Sequence, residues 1–160
     1  MKAVVDTSVL IALEGLSYIE LIARLFDTII VVNSVIDEIT GSKIYSAVEE
    51  MQRAGSVKRE ESSNRELLDT LSLELGKGEA ETIAVASKCD DGIVLLDDLR
   101  ARKRARSLGL RVTGTLGLLR TMIDKDLINN DPFELCDKLL QQGFWIKRDQ
   151  CNEVLGRAHS

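Results

Sequence analysis

Histidine is all but missing from this chain. Its one copy, His159, stands next to the last residue, in what reads as a tail. That scarcity removes a Ser-His-Asp triad, a Cys-His pair and a two-histidine nuclease site. Cysteine is scarce too, with Cys89, Cys136 and Cys151 odd in number and widely spaced. The pattern argues against a disulfide framework and a zinc site, and favours buried, reduced thiols in a cytoplasm. One proline and no Ser/Gly-rich tract leave nothing to divide the chain, so residues 1–160 read as a single domain able to bury a core. The opening Met1-Lys2-Ala3-Val4-Val5 meets Asp6 too early for a signal peptide or a membrane span. Aromatic residues make up only 4 %. Base stacking is therefore expected to be a minor part of any recognition, and no sequence specificity is predicted. Phe144 and Trp145 are expected to pack a C-terminal strand.

What is present describes a globular α/β protein. Hydrophobic residues are 44 % and charged residues 29 % of the chain. The formal net charge of −5 counts against a protein that coats nucleic acid, yet suits one whose acids gather at a metal site. Short apolar runs at Ala3–Val5, Thr28–Val32, Ile93–Leu96 and Leu110–Val112 predict strands, with a short one near Val57 and an edge strand at Phe144–Ile146. Helical spacing predicts helices over Val9–Leu13, through Leu16, Ile19, Ile22 and Phe26, after an Asn33-Ser34 cap, and over Ile44–Met51. Ser63 with Glu66 resembles a capping box opening a helix through Leu67, Leu68, Leu71 and Leu75. Gly76-Lys77-Gly78 reads as a loop, followed by helices at Glu79–Cys89, Leu99–Leu108, Leu116–Ile123 and Pro132–Gln141. Strands alternating with helices predict a parallel sheet of about four or five strands covered on both faces.

In such sheets, sites form beyond the carboxyl ends of the strands. Asp6 follows the first strand, and Asp97 and Asp98 follow the Ile93 strand. Glu38 lies in the first turns after the Thr28 strand, while Glu79 and Glu81 begin a helix that is apolar almost all round. Buried carboxylates need a partner, because desolvating a lone charge is costly. Mg²⁺ or Mn²⁺ is the partner that acids suit best. Each acid also has a plain reading. Asp6 and Asp98 could be helix caps, Glu38 an exposed helix residue, and Glu79 a complement to a helix dipole.

Four stretches, in order, resemble PIN-domain nucleases. They are Val4-Val5-Asp6-Thr7-Ser8-Val9-Leu10, Gly78-Glu79-Ala80-Glu81-Thr82-Ile83-Ala84, Leu95-Leu96-Asp97-Asp98 and Val112-Thr113-Gly114-Thr115-Leu116-Gly117-Leu118-Leu119. The chain looks like the prokaryotic PIN-like subgroup related to VapC-type toxins, and the likeness spans nearly all of it. The resemblance implies a three-layer α/β/α sandwich, Mg²⁺ or Mn²⁺ dependence and endonucleolytic cleavage of single-stranded RNA. It implies Asp6 as first acid, Glu38 as second, Asp98 as fourth with Asp97 sharing that role, and Ser8 as support for the first. For the third acid it favours Glu81, with Glu79 the rival on nearly the opposite helical face. The family more often has Asp there, and a Glu would shift the metal. A small antitoxin partner and a homodimer are implied by the resemblance alone.

Arg100, Arg102, Lys103, Arg104 and Arg106 form the one basic cluster in an acidic protein. They either bind RNA phosphates beside the metal or make a solvated helix face. Three other readings compete. A PIN-fold binding module without nuclease activity would bind metal and cut nothing. A haloacid-dehalogenase-like phosphatase needs a second Asp two residues after Asp6, where this chain has Ser8. A response-regulator receiver needs a middle-strand Asp that is absent.

Overall fold

The apolar runs of the sequence become the strands of one sheet. The computed structural model describes residues 1–156, so His159 lies outside the described residues. Strands β1 (Lys2–Val5), β2 (Thr28–Val32), β3 (Val57–Glu60), β4 (Gly92–Leu95) and β5 (Arg111–Thr113) are all parallel, in the order β3-β2-β1-β4-β5. Ala3, Val4 and Val5 are wholly buried, as expected for the central strand of a sheet covered on both faces.

The helices are α1 (Thr7–Gly15), α2 (Asn33–Ile39), α3 (Lys43–Arg53), α4 (Arg65–Ser72), α5 (Lys77–Ala86), α6 (Leu99–Ser107), α7 (Thr115–Asp124), α8 (Pro132–Gln141) and α9 (Arg148–Leu155). Helix α5 lies across β1, β2 and β4, with α4 and α6 against it. Helices α1, α3 and α7 make the opposite layer, and α9 and α8 extend it. The result is a three-layer α/β/α sandwich. No helix among the described residues is long and apolar enough to cross a membrane.

Several local expectations change. Ile19–Arg24 forms a 3₁₀ helix, not an α-helix. The cap of α4 is Asn64, whose side chain accepts from the Leu67 amide, and not Ser63. Helix α5 begins at Lys77, so the expected Gly76-Lys77-Gly78 loop is its first turn. The predicted helix Leu99–Leu108 buries Ala101 and Ala105 but ends at Ser107, leaving Leu108 37 % exposed.

The C-terminal region departs most. Phe144–Ile146 is a loop between α8 and the unforeseen α9, not an edge strand. Trp145 packs nothing, being 100 % exposed. Cys136 and Cys151 are buried as expected, but joined in a disulfide that ties α8 to α9. Only Cys89 is a free thiol. The inference of reduced thiols fails for the other two, and with it the cysteine argument for a reducing compartment.

Candidate active site

Strand order decides which acids meet. Asp6 leaves the carboxyl end of β1, and Asp97 and Asp98 leave the neighbouring β4, whose Leu95 carbonyl accepts from the Asp6 amide at 3.0 Å. Helices α1, α5 and α6 begin at the same edge, so the positive ends of their dipoles face these carboxylates.

Asp6 is the most confined acid, 5 % exposed. Ser8 Oγ donates to its Oδ2 at 3.4 Å. Among the described residues no Lys or Arg pairs with it. Burial, reinforced by the charges of Glu79 and Glu38, pushes its carboxyl up to about 7, against the pull of the Thr7 amide and Ser8. Glu79 occupies the third position of α5, where its Oε1 accepts from the Gly76 amide at 3.2 Å. Its carboxyl is also held above the usual range, by burial first and then by Asp98 and Glu38.

Glu38, on α2, is exposed, and Thr7 Oγ1 donates to its Oε2 at 2.6 Å. A Cβ on Gly78 would stand 2.6 Å from Glu38 Oε1. Glycine at that position is what lets the carboxylate lie against the first turn of α5. Asp98 caps α6, its Oδ1 accepting from the Ala101 amide at 2.8 Å. Capping and site lining are compatible, because the second oxygen has no hydrogen bond among those found in the described residues.

Asp97 is spoken for. Its Oδ1 accepts from the Thr115 amide and its Oδ2 from Thr115 Oγ1, both at 2.7 Å. Burial raises its carboxyl, opposed by Thr115 and by nearby Arg102. Gly114 leaves room for this contact, since a Cβ there would meet Asp97 Oδ1 at 2.7 Å. The Val112-Thr113-Gly114-Thr115 stretch therefore anchors Asp97 rather than reaching the site itself.

Asp6, Ser8, Glu79, Asp97 and Asp98 line one open cavity of about 460 Å³, which continues to Ile11, Phe144 and Trp145. An adjoining hollow joins Asp6, Ser8 and Glu79 to Glu38. Glu81 lines neither. It is buried, and its two oxygens accept from the Ser34 amide at 2.8 Å and the Ser62 amide at 3.3 Å. Glu81 thus clamps the segments after β2 and β3 to α5. The expectation that favoured Glu81 over Glu79 is corrected in placement: Glu79 is the one beside Asp6.

The basic cluster disperses. Arg100 borders a second groove with Glu79, Asp98 and Trp145. Arg102 turns toward Asp97 and Gly114. Arg104 approaches Glu74 at 3.9 Å and Ser107 Oγ at 3.2 Å. Lys103 and Arg106 are exposed.

A family model described as a PIN domain matches residues 2–160. The chain belongs to the PIN-domain family, whose members are generally nucleases that use divalent metals. None of the curated proteins searched matches it.

The family implies a metal, and the donor chemistry fits one. Asp6, Glu38, Glu79 and Asp98 supply oxygen ligands, Asp6 and Glu79 are partly desolvated, and among the described residues none of the four is ion-paired with a Lys or Arg, a charge that a hard divalent ion relieves. Among the described residues no group of three or more His, Cys, Asp or Glu side chains is gathered closely enough, as it stands, to hold an ion. Mg²⁺ does not require such a cage, because it is commonly bound through one or two carboxylates and keeps several waters.

Proposed function

We propose that the protein is a Mg²⁺- or Mn²⁺-dependent endoribonuclease acting on single-stranded RNA. One observation carries the reading: Asp6, Glu79 and Asp98 share a cavity, with Glu38 hydrogen-bonded to the adjacent Thr7, and among the described residues no Lys or Arg is ion-paired with any of the four. Asp6 with one of Glu79, Asp98 and Glu38 would hold the ion directly, and the remaining acids would hold its waters. When bound, a divalent cation polarises the phosphodiester and makes water a competent nucleophile near neutral pH. The chain's part is positioning. Ser8 steadies the Asp6 carboxyl, the Gly76 amide orients Glu79, and the Ala101 amide orients Asp98. Thr115 fixes Asp97 and with it the turn that presents Asp98. Arg100 stands where a substrate phosphate would approach the acids.

The test is cleavage of a fluorescent single-stranded RNA with Mg²⁺, with Mn²⁺ and with EDTA, comparing wild type with Asp6→Asn. Metal-dependent cutting that the variant loses is expected. A folded wild type that binds metal and cuts none of several RNAs would select the binding-module reading instead.

A further inference from the structure

Trp145 is the only tryptophan of the chain and is 100 % exposed. Leaving so large an apolar side chain in water forgoes the free energy its burial would release. The residue is not on a loose tip. The Gly143 and Phe144 amides donate to the Leu140 and Leu139 carbonyls, each at 3.0 Å, and the Ile146 amide donates to the Phe144 carbonyl at 3.1 Å. Phe144, next to it, packs against the core, and the Cys136–Cys151 disulfide ties the helices on either side. The indole is thus held out on an anchored support.

Its surroundings are specific. Trp145 lines the cavity of Asp6, Glu79 and Asp98, and also the groove that contains Arg100 on the other side. Seven large hydrophobic side chains are exposed among the described residues, and three of them, Ile11, Leu99 and Trp145, border these two hollows. The cavity therefore has an acidic end and an apolar end. A nucleotide has the same division, with a phosphate that a metal-loaded acid cluster attracts and a base with an apolar face.

We propose that Trp145 is the stacking platform for an unpaired nucleobase next to the phosphodiester held at the acids. The proposal rests on the nuclease reading for its substrate class. It replaces the expectation that stacking would be minor, because a low aromatic content says nothing about where the one tryptophan stands. Stacking is sequence-tolerant, since every base has a π face. The subsite therefore selects single strands over duplex without selecting sequence.

The sole tryptophan makes the test direct. Indole fluorescence is followed while Asp6→Asn protein in Mg²⁺, which is not expected to cut, is titrated with a short single-stranded RNA, the matching single-stranded DNA, the RNA duplex, and an abasic strand of equal length. Binding is measured in parallel by the anisotropy of a dye-labelled strand. Both single strands are expected to quench the indole, and the duplex and abasic strands to leave it almost unchanged. Trp145→Ala is expected to weaken single-strand binding roughly 5- to 150-fold, the range that one stacked base contributes, and Trp145→Phe to restore most of it. Equal quenching by the abasic strand, binding by anisotropy with a silent indole, or an unaffected Trp145→Ala would each overturn the stacking proposal. Wild-type cleavage with a silent indole would sink the stacking subsite and leave the nuclease standing. Quenching without any cleavage by wild type in metal would do the reverse. No binding by any strand together with no cleavage by wild type in metal would overturn both.

Discussion

Asp6 shows how one side chain can oppose the fold that carries it. Its carboxyl is raised from an ordinary 3.8 to about 7 in the metal-free protein. A group whose folded pKa lies above its unfolded value supports the fold fully below the unfolded value and loses that support as pH rises toward the folded one. Between about pH 4 and pH 7 the metal-free protein is therefore expected to lose stability, on the order of 4 kcal/mol from Asp6 alone. Asp6→Asn should be the more stable protein at pH 8 in EDTA and show no comparable gain near pH 4, as read from urea unfolding. A variant no more stable than wild type at pH 8 would mean that the buried charge is compensated. Glu79 and Glu81 form the matched pair of controls. Glu79→Gln is expected to abolish cleavage without lowering stability, since its carboxyl too is raised by burial. Glu81→Ala is expected to cost about 2–3 kcal/mol by leaving the Ser34 and Ser62 amides unpaired. The sequence could not separate the two. Helix α5 is apolar nearly all round, so its pattern does not say which face meets the cavity; the positions of β2 and β3 decide that.

At the scale of elements, legibility followed how much apolar surface each piece buries. Strand β2 and helix α8 occur at the bounds their patterns predict, because Thr28–Val32 is a continuous β-branched run and Pro132 with Asp131 marks a helix start. Ile19–Arg24 was harder, since apolar residues three apart fit a 3₁₀ turn as well as an α-helix. Helix α9 is not legible in the sequence because its fully buried face is only Cys151 and Leu155. A cysteine read as an isolated thiol contributes nothing to such a stripe. The disulfide supplies what that narrow face lacks. It closes a 15-residue separation, a constraint worth about 3 kcal/mol in the loop-entropy view. The double variant Cys136→Ser/Cys151→Ser is expected to unfold at lower urea, and α9 amides should exchange faster with deuterium than those of β1. Unchanged exchange in α9 would mean that packing alone holds it.

For the whole molecule, the carboxyl edge of the sheet is where fold and chemistry conflict. Acids crowd there, and a bound cation would relieve the conflict. Mg²⁺ at a hundred times its dissociation constant would add about 2.7 kcal/mol to stability. Thermal unfolding should therefore rise with Mg²⁺, more at pH 8 than at pH 5.5, where protonated Asp6 competes with the ion. A shift of equal size at both pH values would place the ion away from Asp6.

The sheet order has a consequence in time as well. Of the five strands, β1 is made before the others and sits in the middle of the sheet, and its partner β4 is made only after Gly92 has been added. Asp6 and Asp98 are neighbours in space but stand at opposite ends of a long stretch of translation. At about 5–20 residues per second, some seconds separate the synthesis of the two acids. During that interval a growing chain carries one half of the acid set without the other. On the function proposed, the message being translated is not exposed to a finished nuclease until its own reading has passed that point.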